Sequence, residues 1–157
     1  MIINNKVDNK LPRRCRLSQV DNLDVDPLID LEINENFTPQ VVVDFGSQVN
    51  ILSRSTWIKM GRPQLSKSRV YLKLVDQGLI APMGVWKNAT TSIMGITIQV
   101  NFEIIEPKDT TQSSYALVGR PWGKKMKASI FLEKYHIKLK GKGKQVITPL
   151  DPTQGKP

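Results

Sequence analysis

Cysteine and histidine are almost absent from this chain of 157 residues, which contains one of each, Cys15 and His136. A single cysteine cannot form a disulfide within the chain, which favours a reducing, intracellular setting such as the cytoplasm. One histidine and one cysteine far apart in sequence form no cluster with zinc spacing, so we expect neither a metal site nor a cofactor. His136 lies in the alternating run YHIKLK, where an exposed strand histidine is a better interpretation than a catalytic base.

Long apolar runs are also missing. No stretch approaches the ~18 apolar residues that a membrane-spanning helix needs, so no membrane partner is expected. The N-terminus, MIINNKVDNKLPRRCRL, lacks the apolar centre of a secretory signal. Residues 1–26 are polar and without periodicity, which predicts a disordered leader or linker. We expect one folded domain over residues 27–150 and a flexible tail over residues 151–157.

Charge is distributed unevenly along the chain, whose formal net charge is +9. Residues 17–52 carry seven acidic residues and no Lys or Arg, whereas residues 121–157 carry nine lysines against two acidic residues. The basic end predicts, at most, a weak and non-specific contact with nucleic acid through phosphate neutralisation. A solvated lysine-rich hairpin is the favoured interpretation.

Four lysines would carry that nucleic-acid contact: Lys138, Lys140, Lys142 and Lys144. Proteins that bind single strands usually add aromatic side chains on which bases stack. Near these lysines the sequence offers no aromatic platform beyond Tyr135. A basic β-barrel that binds RNA is therefore the third of three functional hypotheses.

Apolar alternation predicts strands along most of the chain from residue 28 onwards. LIDLEI (28–33) alternates, NENFTPQ supplies turn residues, and VVV (41–43) makes the second strand of a hairpin. SRSTWIKMG (53–61) predicts a short helix, with Ser53 as its N-cap and Gly61 at its end.

Further strands are predicted beyond this helix. They are SRVYLKLV and LIAPMGVW on either side of the turn DQG, two runs about Gly95, the start of YALVGRPW as far as Gly119, SIFLEKYHIKLK and KQVITPL, with one helical turn in GKKMKA. Many short strands with one or two short helices indicate a mostly β fold, a small closed barrel or sandwich.

The segment VVVDFGSQVNIL places a carboxylate, Asp44, at the end of an apolar strand. Gly46 allows the backbone to turn sharply and to bring amide groups towards that carboxylate. An ordinary structural role is equally compatible with these residues, because aspartate often caps a turn through its own backbone. The residues alone leave both interpretations open.

This segment, followed by a helix, resembles the active-site segment of retropepsin-like aspartic peptidases, specifically those of plant retrotransposon polyproteins. The resemblance implies a one-lobe acid-protease fold, with Asp44 as the catalytic aspartate, Gly46 as the turn glycine and Ser47 as the small residue. It extends from about Leu28 to Leu139.

Two further family features follow in the expected order. ALVGRPW resembles the second motif, at Leu117, Val118 and Gly119. Between the two motifs the family has a flap hairpin over its cleft. By position, the resemblance implies a flap tip at Asp76, Gln77 and Gly78.

A single aspartate per chain implies a mechanism that needs a homodimer, with two copies of Asp44 side by side and a polypeptide as substrate. Two carboxylates ~3 Å apart cannot both ionise readily, and aspartic proteases are the established example. The ionised member would activate water and the protonated member would donate to the scissile carbonyl. The peptide would lie extended under the flaps.

One residue departs from the family pattern. The position between Asp and Gly usually holds Thr or Ser, whose hydroxyl braces the two loops across the dimer, but here it is Phe45. The brace is therefore lost or replaced by packing. The second hypothesis follows from this departure: a catalytically inactive retropepsin-like module that binds peptides or protein partners.

Overall fold

The computed structural model describes residues 3–4, 27–74, 78–107 and 114–150. The leader predicted over residues 1–26 and the tail predicted over 151–157 lie outside these ranges, except for residues 3–4, and stay predictions. The strands are β1 (Ile3–Asn4), β2 (Leu28–Ile33), β3 (Asn36–Val43), β4 (Asn50–Ser53), β5 (Leu72–Leu74), β6 (Gly78–Ile80), β7 (Gly84–Ile93), β8 (Ile96–Ile105), β9 (Ala116–Val118), β10 (Ser129–Phe131), β11 (His136–Gly141) and β12 (Lys144–Pro149). The helices are α1 (Arg54–Lys59) and α2 (Arg120–Lys125).

Six strands form a closed barrel in the order β2-β3-β9-β4-β8-β7, which confirms the predicted mostly β architecture. Strand β3 is parallel to β9, β4 is parallel to β8, and the remaining barrel pairs are antiparallel. Two three-stranded sheets, β1-β5-β6 and β10-β11-β12, complete the described strands. Closure removes the barrel's own edges, so the barrel strands are hydrogen-bonded on both sides.

The main apolar core contains side chains from nearly every barrel strand and from helix α2. Trp122 of α2 is completely buried in it, and its indole N–H donates to the Thr91 hydroxyl at 3.1 Å. A buried Trp needs such a partner, because an unpaired indole N–H would cost free energy. Helix α2 is thereby anchored to the core through its third residue.

The first hairpin turns more tightly than the sequence predicted. The turn is only Asn34 and Glu35, and β3 already begins at Asn36, so most of NENFTPQ is strand rather than turn. Both turn residues have positive φ, 53° and 65°. Two left-handed residues in succession match the right-handed twist of paired strands, which is why two-residue hairpins use them.

The prediction for helix α1 is confirmed, whereas the prediction for helix α2 was misplaced. Helix α1 has the predicted N-cap, Ser53, whose hydroxyl accepts the Thr56 N–H at 3.4 Å, and Gly61 follows it with φ of +95°. The single turn predicted over GKKMKA was misplaced, because α2 begins at Arg120 and ends at Lys125. Pro121 favours that earlier start, since its fixed φ suits the first turn of a helix.

Three strand predictions were too long. LIAPMGVW (79–86) is strand only at its two ends, in β6 up to Ile80 and in β7 from Gly84. The run predicted over residues 68–75 is strand only from Leu72 to Leu74 in the described part. SIFLEKYHIKLK forms two strands, β10 and β11, joined by a turn in which Tyr135 has φ of +51°. No helix in the described ranges is long and apolar enough to cross a membrane.

Candidate active site

The sequence predicted that β3 would deliver a carboxylate at its end, and Asp44 follows the buried residue Val43 directly. Val43 is in register with Val118 of the parallel neighbour β9. The Asp44 N–H continues this ladder by donating to the Val118 carbonyl at 3.0 Å. The candidate catalytic aspartate therefore lies where two parallel barrel strands end, and its backbone is tied to the second family motif.

The turn after Asp44 is held by the aspartate itself. The Gly46 N–H donates to Asp44 Oδ1 at 2.9 Å, and the Ser47 N–H donates to the Asp44 carbonyl at 3.0 Å. The capping role that the sequence left open is thus present. It does not exclude a catalytic role, because Asp44 is only half-buried and a carboxylate has several acceptor positions.

Ser47 is completely buried, and its hydroxyl is used within the loop. It donates to the Val49 carbonyl at 2.7 Å and accepts the Val49 N–H at 3.3 Å. The carbonyl of Ser47 accepts the Arg120 N–H at 2.8 Å. A small residue is needed here because the loop is packed closely against the start of α2.

Gly119, the glycine of the second motif, is where the two motifs meet. A Cβ built on it would lie 2.8 Å from the Ser47 carbonyl oxygen and closer still to the Val49 carbonyl oxygen. No real Cβ tolerates such contacts with backbone, so only glycine fits. The preceding residues Leu117 and Val118 are buried in β9, in register with β3 and β4.

Asn50 is a site residue to which sequence analysis assigned no role. Its side chain is buried, accepts the Gly119 N–H through Oδ1 at 2.7 Å, and donates to the Asn101 carbonyl at 2.9 Å. Hydrogen bonds at both ends of a buried amide are favourable, whereas loss of one partner leaves a buried polar group unsatisfied and costs free energy. A lone amide within the apolar run from Val49 to Leu52 was the signal for it.

Phe45 packs where the family places a hydroxyl. Its half-buried side chain lies against the main core, and its carbonyl accepts a bond from Arg120 Nε at 3.1 Å. A Cβ on Gly123, in α2, would lie 2.6 Å from Phe45 Cε1. Phe45 therefore packs within its own chain, and the loss or replacement of a brace between chains stays a prediction. Neither Arg120 nor Gly123 was identified from sequence.

In the segment expected to form the flap, the two strands on either side of the predicted tip are paired. Strands β5 and β6 are antiparallel, with Leu74 opposite Gly78, whose φ is +67°. Leu72 and Ile80 are buried in a small cluster that also includes Leu117 of the second motif. The hairpin base and that motif thus share one apolar cluster.

Two of the three predicted flap residues, Asp76 and Gln77, lie outside the described residues. Gly78 is described and begins β6, and the flap role of all three residues stays a prediction. Among the described residues, no three His, Cys, Asp or Glu side chains come together as metal ligands would.

The carboxyl group whose pKa departs clearly from its ordinary value lies in the barrel wall. Burial raises the pKa of Glu103, and a hydrogen bond from the Ser68 hydroxyl, at 2.8 Å, opposes that rise. Glu103 is in β8, opposite Ile51 of β4 and Val85 of β7. Glu103 therefore lies in the barrel wall and not in the turn that carries Asp44.

Comparisons with solved structures agree with this geometry. The retroviral protease-like domain of Ddi1 from Leishmania major aligns with a TM-score of 0.62 and 19% identity, over 85% of this chain and 97% of that one. The chain has the retropepsin-like fold. The EIAV protease, complexed with the inhibitor HBY-793, aligns with a TM-score of 0.55 and 17% identity, over 70% of this chain and 96% of that one.

Neither a protein-family model nor a curated protein matches the sequence. The retropepsin-like fold thus rests on the barrel, its two short helices and their similarity to these solved domains.

Proposed function

We propose that this chain is an aspartic endopeptidase domain that hydrolyses polypeptides as a homodimer, within a retrotransposon polyprotein that it cuts. The position of Asp44 carries the proposal. Asp44 directly follows β3, one of two parallel strands of a retropepsin-like barrel. Its N–H donates to the carbonyl of Val118, which belongs to the second motif and to the other strand, β9. The retrotransposon setting rests on the resemblance of VVVDFGSQVNIL and ALVGRPW to plant elements.

The need for a second copy follows from the aspartates available. In the described ranges the other aspartate is Asp30, whose Oδ1 accepts the Gln40 N–H within the first hairpin. It does not belong to the turn that carries Asp44. A two-fold axis passing beside Asp44 would supply the missing carboxylate from an identical chain, with the same surface used on both sides.

The chemistry assigns one role to each copy of Asp44. The ionised carboxylate accepts a proton from a water molecule, whose oxygen attacks the scissile carbonyl carbon. The protonated carboxyl donates its proton to the carbonyl oxygen, which gives a neutral tetrahedral diol. Collapse then breaks the C–N bond: the carboxyl that took the water's proton donates it to the leaving nitrogen, and the other carboxylate accepts a proton from the diol. Because one copy must be ionised and the other protonated, a bell-shaped pH dependence of cleavage is expected.

Cleavage of a peptide library by the native chain and by Asp44→Asn, analysed by mass spectrometry across acidic to neutral pH, tests the proposal. We expect Asp44→Asn to lower the rate by at least about 10³-fold, since general acid–base catalysis is worth 10²–10⁴. The fold should persist, because the asparagine oxygen still accepts the Gly46 N–H. Asp30→Asn is the matched control and should cut normally. Equal rates for the native chain and Asp44→Asn would contradict the proposal.

The second candidate is an inactive module that binds peptides, favoured by the absence of a hydroxyl at Phe45. A pull-down with the same peptide library separates the two hypotheses. Peptides that are retained by both native chain and Asp44→Asn, with no cleavage by either, would support the binding module. Cleavage by the native chain that Asp44→Asn abolishes would exclude it.

We place this activity inside the cell, on the ground that a single cysteine cannot form a disulfide within the chain, which suits a reducing compartment. Fluorescence microscopy of the tagged chain in its host cell tests this. Cytoplasmic fluorescence is expected, and fluorescence confined to the secretory pathway would contradict it.

A weak contact with single-stranded nucleic acid is proposed for the outer face of β10-β11-β12. The sequence suggested only Tyr135 as an aromatic neighbour of the lysines, but Tyr135 packs against the core. Phe131 takes that place: Lys138 Nζ lies 5.5 Å from the centre of its exposed ring. Residues 129–149 hold five lysines against Glu133 alone.

Fluorescence polarisation with a labelled RNA oligonucleotide tests this contact. Affinity should fall steeply with salt, because bound phosphates release counterions. Phe131→Ala and Lys138→Gln should each weaken binding, whereas Lys67→Gln, an exposed lysine outside this sheet, should not. Salt-independent binding, or three equal variants, would contradict the proposal.

A further inference from the structure

Gly123 occupies an unusual position, in the interior of α2 and buried. Glycine is among the least favourable residues inside a helix, so its presence there calls for a physical cause. Its backbone does not require glycine, since its φ is not in the left-handed region. The cause must therefore lie in the space beside it.

The side chain of Phe45 fills that space. The three heavy atoms nearest to a Cβ on Gly123 all belong to the Phe45 ring: Cε1 at 2.6 Å, Cζ at 2.9 Å and Cδ1 at 3.0 Å. Such separations are shorter than carbon contacts allow, so a ring in this place and any side chain at position 123 exclude each other. The large residue in the loop and the absent side chain in the helix form a complementary pair.

The same helix holds the loop at two further points, both through Arg120. Its Nε donates to the Phe45 carbonyl at 3.1 Å, and its N–H donates to the Ser47 carbonyl at 2.8 Å. These contacts lie on either side of Gly46, whose N–H binds the Asp44 carboxylate. Helix α2 in turn is anchored by the buried Trp122. The orientation of the carboxylate is thus connected to the core through one short helix.

We propose that Phe45 is a positioning residue: by packing on Gly123 it fixes the Asp44 turn within a single chain, in place of a hydroxyl brace between chains. The inference rests on the proposed proteolytic function for its consequence in catalysis. The packing itself is a property of the single chain and can be tested without any activity.

A double-mutant cycle on unfolding tests the packing, with Gly123→Ala, Phe45→Ala and the double variant. In the native background Gly123→Ala should destabilise the protein, because the new Cβ displaces the ring. In the Phe45→Ala background the same change should stabilise it, because the ring is gone and alanine favours the helix. Lys124→Ala, at the exposed neighbouring helix position, should have the same small effect in both backgrounds.

The amide NMR signals of Gly46 and Ser47 report positioning directly. Gly123→Ala and Phe45→Ala should each shift them, whereas Lys124→Ala should not. In an active protein Gly123→Ala should lower kcat by about 10²-fold, the loss typical of a misplaced catalytic group, with little change in KM. If neither the native chain nor any variant cuts, the proposed function fails while the amide signals still decide this inference.

Each result of these experiments either supports or overturns the positioning role of Phe45. A change of sign between the two backgrounds, with shifted Gly46 and Ser47 signals, supports the positioning role. If Gly123→Ala does not fold, folding of the double variant supports it and failure of the double variant overturns it. The same effect of Gly123→Ala in both backgrounds, or amide signals that do not move, would also overturn it.

Discussion

The turn that follows β3 and the turn that follows β9 leave neighbouring parallel strands at the same end, but their surroundings are opposite. Gly46, in the first, is exposed and lies next to a half-buried carboxylate. Gly119, in the second, is buried between backbone carbonyls of the first. The first turn carries the candidate catalytic carboxylate and the second carries none. The comparison indicates that a glycine without a functional group can be as necessary to the candidate site as its aspartate, because a side chain at Gly119 would clash with the first turn.

The largest effect on stability is expected from Gly119→Ala. Its Cβ would meet the carbonyls of Ser47 and Val49, which are backbone atoms and cannot move aside cheaply. We expect a loss of about 3 kcal/mol or more in the free energy of unfolding, at the upper end for overpacking. Urea denaturation measures it.

Gly46→Ala is the matched variant in the other turn. Its Cβ would lie 3.2 Å from Asp44 Oδ1 and is otherwise exposed. We therefore expect less than about 1 kcal/mol of destabilisation, with the main loss in cleavage rate. Equal destabilisation by Gly46→Ala and Gly119→Ala would contradict the difference in packing between the two turns.

Asn50→Ala tests how the buried turn is held. It removes the acceptor of the Gly119 N–H and leaves that buried donor without its partner. A loss of about 2 kcal/mol in unfolding free energy is expected, within the range for an unsatisfied buried group. Asn36→Ala is the control, since the Asn36 side chain is exposed and its amide donates to the nearby Asn34 carbonyl. A loss no larger than that of the control would show that Asn50 does not support the turn.

The smallest effect is expected from Glu103→Gln, outside both turns. Burial raises the pKa of Glu103 above 4.5, so the folded chain keeps this proton to higher pH than the unfolded chain. Its contribution to stability is fully present below pH 4.5 and is lost as pH rises through the folded-state pKa. Glu103→Gln should therefore be more stable than the native chain at neutral pH and equally stable in acid.

Thermal unfolding measured from acidic to neutral pH checks this sign. The exposed Glu106→Gln is the control and should leave the pH dependence as it is. A native-like pH dependence in Glu103→Gln would contradict the assignment.

Much of the fold was predictable because its causes are local. Alternation of apolar residues predicted β2, β7 and β8, and the Ser53 cap and Gly61 predicted α1. The start of α2 was missed because Gly119, which separates β9 from α2, packs closely against the backbone of Ser47 and Val49, which are distant in sequence. Turn residues that need positive φ without being glycine, such as Tyr135, also escaped prediction.

Within the candidate site, sequence patterns indicated the motif residues but not the residues that support them. Asp44, Gly46 and Gly119 stand in patterns that sequence shows. Asn50 and Gly123 act through partners 69 and 78 positions away, Gly119 and Phe45, and only the folded chain brings each pair together. Phe45 itself was noticed as a departure, but its partner could not be identified without the structure.

The central claim is that two copies of Asp44 form one catalytic site. Mixing the native chain with Asp44→Asn in equal amounts, at constant total concentration and after full subunit exchange, tests it most directly. Only dimers of two native chains would cut, so activity should fall to about one quarter of that of the native chain alone. Activity of about one half would mean that each chain works by itself, and would contradict the account.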